Sequence, residues 1–281
     1  MNRVDLHLHS TASDGRATPA VVVREVAARG LVGLSLTDHD TVDGLPEAAE
    51  EARKLGLDFL VGAELSANRP GRSVHLLAYG FDPADPGLER FFSDFHVDRH
   101  RRTEAIVARL NDLGVGLTVE DVLRESGRGV PTRAHVGRAL VAGGWAPTTN
   151  IAFARWIARD RPAFVEKRPS PPEEVIRLVH GAGGVVLLAH PGRDFTAADV
   201  ANLVEAGLDG VEIRHPRNGT RERRMLERLA AEGDLLRGGG SDWHGADSGG
   251  SEPGSERVPA SWMQAIRERC EGRPSGNRGT L

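Results

Sequence analysis

Near the N-terminus Val4, Leu6 and Leu8 alternate with Asp5, His7 and His9, the period-two pattern of a strand with two unlike faces. Six further short apolar runs follow, at 31–38 (LVGLSLTD), 59–66 (FLVGAELS), 73–81 (SVHLLAYGF), 185–192 (VVLLAHPG), 210–215 (GVEIRH) and 235–242 (LLRGGGSD). Helical patterns separate most of them, at 18–30, 45–56, 170–183, 195–207 and 220–233. The first opens with Thr18 as N-cap and Pro19 in its first turn, and stops at Gly30, as helix boundaries prefer. Strands alternating with helices of this length predict βα units and a largely parallel sheet, hence the α/β class. Polar groups gathered at the ends of strands favour a barrel with its active face there.

The alternation breaks between 84 and 168, where GLERFFSDFHVDRHRRTEAIVARLNDLG and RAHVGRALVAGG read as helices and little reads as strand. The expected organisation is a barrel domain of residues 1–83 and 169–272, a mainly helical insertion domain of 84–168 beside the barrel mouth, and a disordered tail of 273–281. The Gly/Ser/Pro-rich run at 245–258 reads as a loop. Phe91, Phe92, Phe95, Trp145, Phe153 and Trp156 sit at helical spacing in the insertion, which favours core packing over base stacking.

Composition narrows the functional classes. The net charge of -4, from 36 basic and 40 acidic residues, supplies no general field for nucleic acid, although a local basic groove remains compatible with it. One cysteine, Cys270, excludes an internal disulfide framework and fits a reducing compartment. No apolar run reaches the ~20 residues that span a bilayer, and the N-terminus lacks a signal-peptide pattern. The expectation is a cytoplasmic protein with no membrane association and no obligate protein partner.

Several of the 11 histidines stand at the ends of short apolar runs. His7 and His9 share one strand face with Asp5, because residues i and i+2 point the same way. On that spacing alone a metal site and a decorated edge strand are evenly matched. The second strand ends in Asp38-His39-Asp40, and a turn needs no histidine between its aspartates. Glu64 lies inside an apolar run, where a carboxylate must meet a cation, either a metal or an arginine such as Arg72. His75, His190, Asp242 and His244 complete the series along later strands. Barrel closure would bring these positions together, which independent decoration would not do. So many donors exceed the roughly four that one zinc takes, so two or three metals are expected. Histidine mixed with carboxylate and no thiolate suits manganese, iron or zinc better than calcium.

Taken in order, DLHLHSTASDG, TDHD, the glutamate of GAE, the histidine of SVHLLAYG, LAHPG and GSDWH resemble the PHP (polymerase and histidinol phosphatase) family. The resemblance implies a distorted (β/α)7 barrel of PHP type with up to three divalent ions at the strand ends, Mn2+ first and Fe2+, Zn2+ or Mg2+ as substitutes. It implies that His7, His9, Glu64 and Asp242 hold one ion. Glu64 would bridge to a second, held also by His75 and His190, and Asp14, His39 and His244 would hold a third. Asp5 and Asp38 are expected to orient neighbouring ligands. The implied activity is phosphoester hydrolysis by a metal-bridging hydroxide, with no further catalytic side chain.

Phosphate also needs cationic donors. Arg133 and His135, at the start of an insertion helix, and Arg193, just past His190, are the expected substrate contacts, with His215 as pocket wall. TASDGRATP, TRAH and AHPGR are most similar to the nucleotide-hydrolysing subgroup. That likeness implies removal of the 3′-phosphate from nucleoside 3′,5′-bisphosphates, with 5′→3′ trimming of short single-stranded RNA beside it. The competing readings are a histidinol-phosphate phosphatase and a non-catalytic nucleotide-binding or polymerase-accessory module. A metal-dependent amide hydrolase is chemically close, but no strand carries the lysine of a carbamylated bridge.

Overall fold

In the computed structural model, which describes residues 2–69, 72–127, 129–168, 170–246 and 250–273, the strands fall where the apolar runs predict them. They are β1 (Arg3–Asp5), β2 (Gly33–Leu36), β3 (Asp58–Arg69), β4 (Arg72–Tyr79), β5 (Val185–Leu188), β6 (Gly210–Arg214), β7 (Leu236–Gly239) and a short β8 (Val258–Pro259). They form one sheet in the order β7-β6-β5-β4-β3-β2-β1-β8. Beyond β1 and β7 the chain closes the sheet almost into a barrel. Leu6 N donates to Gly239 O at 3.2 Å, Asp242 N to His7 O at 2.9 Å, and His9 N to Trp243 O at 3.0 Å.

Two features depart from expectation. β4 runs antiparallel to both β3 and β5, while the other barrel neighbours are parallel. Only residues 70 and 71 separate β3 from β4, and a parallel return needs a crossover of a dozen or more residues. His75 therefore lies near the start of its strand, opposite Ser66, and reaches the same mouth as the ends of its parallel neighbours. The second departure is β8, in a stretch that reads as loop, which pairs antiparallel with β1.

The helices are α1 (Pro19–Ala28), α2 (Leu45–Leu55), α3 (Pro86–Asp112), α4 (Val119–Ser126), α5 (Arg133–Ala142), α6 (Thr149–Ala152), α7 (Pro172–Gly181), α8 (Ala197–Glu205), α9 (Thr220–Glu232) and α10 (Ala260–Glu271). Thr18 caps α1 by accepting from Val21 N, and Thr118, Thr132 and Thr196 each anchor a capping box. Such caps satisfy amides that a helix start leaves unpaired. No helix among the described residues is long and apolar enough to cross a membrane.

On β3, Leu60 shares the face of Glu64, and on β4, Leu77 and Tyr79 share the face of His75. These three apolar residues pack with Leu187 and with Met263, Ile266 and Cys270 of α10. The opposite face of β4 meets α7 through Val175, Ile176 and Val179. Helices α3 to α6 enclose a second cluster around Ile106, Leu110, Val136, Leu140 and Trp156. Phe92, Phe95 and Trp156 are buried, as core packing requires. Of the expected tail, Arg273 is paired with Asp209, and 274–281 lie outside the described residues.

Candidate metal centre

The strand ends deliver seven imidazoles and four carboxylates to the barrel mouth: His7, His9, His39, His75, His190, His215 and His244 with Asp14, Glu64, Glu212 and Asp242. Glu64, wholly buried in β3, is the hub. Its Oε2 lies 3.2 Å from His7 Nε2, His9 Nε2 and His39 Nδ1. Its Oε1 lies 2.7 Å from His75 Nδ1 and 2.8 Å from His190 Nε2. Arg72, the alternative partner for Glu64, pairs with Asp199 instead. Asp242 Oδ1 stands 3.4 Å from His7 Nε2 and 3.1 Å from His9 Nε2. On the far side Asp14 Oδ1 faces His244 Nε2 at 3.3 Å, and Asp14 Oδ2 faces His39 Nε2 at 4.0 Å.

Several of these atoms face more than one partner at once. His7 Nε2 and His9 Nε2 are 3.1 Å apart and both face the same two carboxylates. Asp14 Oδ1, His39 Nδ1 and His215 Nε2 are buried without hydrogen-bond geometry to any partner, although a charged atom lies within 3.3 Å of each. Buried polar atoms are normally hydrogen-bonded, and this exception is the geometry of donors around a shared cation. The nitrogen and oxygen donor set fits divalent metal ions. His7, His9, Glu64 and Asp242 form one group, as the resemblance implies. The remaining division is less clean. His39 belongs both with Glu64 and His75 and with Asp14 and His244, and His9 adjoins that last group.

The electrostatics agree with this picture. Burial opposes charge on His9, but Asp242 and Glu64 outweigh it and bring the imidazolium pKa to about 10. Burial likewise opposes charge on Glu64, yet His39, His75 and His7 hold it well below the carboxylate range. Asp242, similarly buried, is held down chiefly by His7. His39 is instead driven to about 3, mainly by burial. The buried carboxylates demand positive charge, which a proton or a metal ion can supply.

The surrounding chain holds the cluster in place. Asp5 accepts from the amides of His7 at 3.2 Å, Ser241 at 3.0 Å and Gly254 at 2.8 Å. Asp38 Oδ1 accepts from Ser10 N at 2.7 Å and its Oδ2 from Ser10 Oγ at 2.6 Å, pinning the loop between His9 and Asp14. Both aspartates act through backbone and loop, with no hydrogen bond to an imidazole of the cluster. His190 and Asp242 adopt positive φ, 25° and 54°, strain of the kind that gathers at functional sites.

Sequence reasoning missed Glu212. Its Oε1 lies 2.9 Å from His7 Nδ1, and its Oε2 accepts from His190 N at 2.6 Å. The available signal was the one that found Glu64, an acid inside an apolar strand (GVEIRH). His215, expected as pocket wall, is buried at 1% exposure with its Nε2 3.3 Å from Asp242 Oδ2.

Two cavities open on the cluster and share His75 and Arg133. One, of about 610 Å3, is also lined by Arg72, His190 and Arg217. The other, of about 160 Å3, is also lined by Asp14, His39, Arg99, Arg102 and Lys167. Arg133 thus lines both cavities beside the cluster from the first turn of α5. His135 turns inward instead, where its Nδ1 accepts from Thr132 N at 2.9 Å and caps the helix. Burial, with help from Arg138, lowers its pKa to about 4. Arg193 is exposed on a short turn, Gly192–Asp194, and is absent from both cavity walls; Arg217 lines the larger one.

Comparison with known proteins gives a consistent result. Residues 5–152 match the PHP domain family. The chain is 34% identical over 247 residues to a 5′-3′ exoribonuclease of Haemophilus influenzae, covering 86% of this chain and 90% of that one. It is 31% identical over 278 residues to a 3′,5′-nucleoside bisphosphate phosphatase of Chromobacterium violaceum, covering 95% and 96%. Its structure superposes on that of a candidate metal-dependent phosphoesterase of Bifidobacterium adolescentis with a TM-score of 0.89 and 34% identity, over 95% and 96% of the two chains. Fold, site and relatives together define a hydrolase of phosphoric ester bonds. The chain belongs to the PHP domain family.

Proposed function

We propose that the protein removes the 3′-phosphate from nucleoside 3′,5′-bisphosphates and trims short RNA 5′→3′ as a related activity. The observation that carries this reading is Arg133, which lines both cavities beside the ligand cluster. One phosphate can face the metals while a second meets a cation. The names of the two relatives support the same substrate class.

In this reading His7, His9, Asp14, His39, Glu64, His75, His190, Asp242 and His244 hold two or three divalent ions, Mn2+ first. Once bound, such ions supply a nucleophile at neutral pH and neutralise phosphoryl charge. The chain's own residues position the reactants. Glu64 spans the two sides of the cluster, Glu212 fixes the ring of His7, and the Arg133 guanidinium donates to phosphoryl oxygens. Histidinol phosphate carries one phosphate and a cationic amine, so cations beyond the metal cluster disfavour it. His135 caps α5 and Arg193 lies exposed, so this reading gives the phosphate contact to Arg133.

The test is phosphate release across adenosine 3′,5′-bisphosphate, adenosine 3′-monophosphate and histidinol phosphate with Mn2+ present. The bisphosphate should be preferred. Absence of release from it, or preference for histidinol phosphate, overturns the reading.

A further inference from the structure

The larger cavity at the mouth has one wall unlike the rest. Arg72, at the start of β4, stands over Phe195 with its Cζ 3.6 Å from the ring centroid. Its Nη1 is 3.1 Å from Asp199 Oδ1, and its Nη2 has no hydrogen-bond partner. Asp199 is itself fixed, because its Oδ2 accepts from Thr196 N at 2.8 Å and Thr196 Oγ1 at 2.7 Å in the capping box of α8. Phe195 is half-buried, packed against the core beneath it. Both members of the stack are thus held in place by the fold.

The charge on this wall does not suit an anion. Asp199 offsets Arg72, and the exposed carboxylate of Asp194 lines the same cavity. What remains is a ring-and-guanidinium surface in a cavity of about 610 Å3, inside the roughly 300–1,000 Å3 range of small-molecule pockets. Nucleobases stack on aromatic rings and on guanidinium planes, and a carboxylate can accept from an amino group on a base edge. His75 and His190 line the cavity too, so its occupant adjoins the group held at the cluster. Asp194 and Arg217, on the loops after β5 and β6, are exposed, and a strand can continue on that side. The smaller cavity, about 160 Å3 and walled by side chains of α3 and α5, falls below the roughly 300 Å3 that a nucleoside-sized ligand needs.

We propose that the Arg72–Phe195 stack is the platform for the base of the second nucleotide of an RNA substrate, the nucleotide on the 3′ side of the bond that is cut. The inference rests on the RNA-trimming part of the reading above and deepens it. A nucleoside 3′,5′-bisphosphate ends at the phosphate over the cluster and leaves the platform unused, whereas an oligonucleotide engages it. The stack therefore sets the preference between two substrates of one metal centre.

The experiment pairs direct binding with kinetics. In chelator, 5′-phosphorylated ApA and the same dinucleotide lacking its second base are titrated calorimetrically into the full chain. Loss of the stacked base should weaken binding by about tenfold. Phe195→Leu keeps apolar volume and removes the ring, so it should bind both ligands with nearly equal affinity, while Phe195→Tyr should keep the difference. Arg72→Met should narrow the difference in the same way. With Mn2+, Phe195→Leu should lose about tenfold in kcat/KM on 5′-phosphorylated ApA and less than about twofold on adenosine 3′,5′-bisphosphate. Equal wild-type affinity for the two dinucleotides, a Phe195→Leu chain that still tells them apart, or equal kinetic losses on both substrates overturns the proposal. If base-dependent binding is present in the wild type and lost in Phe195→Leu while neither substrate is cleaved, the hydrolytic reading falls and the platform stands.

Discussion

Glu212 Oε1 lies 2.9 Å from His7 Nδ1, with both side chains wholly buried. This contact turns His7 Nε2 toward Glu64 and Asp242. The other oxygen of Glu212 receives the amide of His190, so one carboxylate sets two proposed ligands whose rings stack 5.7 Å apart. Outer carboxylates of this kind fix the tautomer and orientation of metal-binding imidazoles. Glu212→Gln, which keeps the shape and removes the charge, should lower Mn2+ affinity by about 10–100-fold. Calorimetric titration of the variant checks this, and wild-type affinity would assign Glu212 to packing alone.

Asp40 and Arg99 form a buried ion pair between the end of β2 and α3. Asp40 Oδ1 also accepts from Ser66 N at 2.6 Å, and its φ of 52° is one that Asn tolerates. Asp40→Asn therefore keeps the conformation and leaves Arg99 without its carboxylate, which should cost about 3–5 kcal/mol in urea unfolding at pH 7.

The same pair has a defined pH signature. Burial alone would raise the Asp40 pKa, but Arg99 and then Lys167 hold it below 3.8. A depressed carboxylate contributes its full stability above the unfolded pKa of about 3.9 and loses it as pH falls through the folded value. The stability gap between wild type and Asp40→Asn should widen as pH falls through about 7, where Lys167, which Asp40 favours in its charged form, takes up its proton, and then shrink below about pH 4. A gap that narrows as pH falls through about 7 would contradict the assignment.

Much of this architecture is legible in the sequence because its signals are local. A strand announces itself by alternation, and a histidine or acid inside an apolar run has few structural reasons to be there. His7, His9 and Glu64 stand out for that reason, and the structure brings them within 3.2 Å of one another. Glu212 carries the same signal, an acid inside the apolar run GVEIRH, but ends no strand and stands in none of the motifs that mark the others. The direction of β4 depends on the two-residue connection after β3, which apolar spacing does not report. Arg99, Arg102 and Lys167 were beyond reach for another reason. On a long helix or a connecting segment an arginine or lysine is ordinary, and only the packing of α3 against the barrel turns these three toward one cavity.

Gly240 marks where the chain beyond β7 crosses β1. A Cβ there would lie 2.4 Å from both the Cβ and the backbone N of His7. Gly240→Ala must therefore push the His7 strand outward, and overpacking of this kind costs about 1–3 kcal/mol. The variant should unfold at lower temperature and also bind Mn2+ more weakly, because the displaced residue is a proposed ligand. Loss of stability with unchanged metal affinity would separate barrel closure from the site.

Mn2+ titration into metal-free protein, followed by phosphate release from adenosine 3′,5′-bisphosphate, tests the central claim most directly. The account predicts no release in chelator, a rise to a plateau as two or three ions bind per chain, and no plateau for His7→Ala. Equal release with chelator present, or a His7→Ala variant that matches wild type, would contradict it.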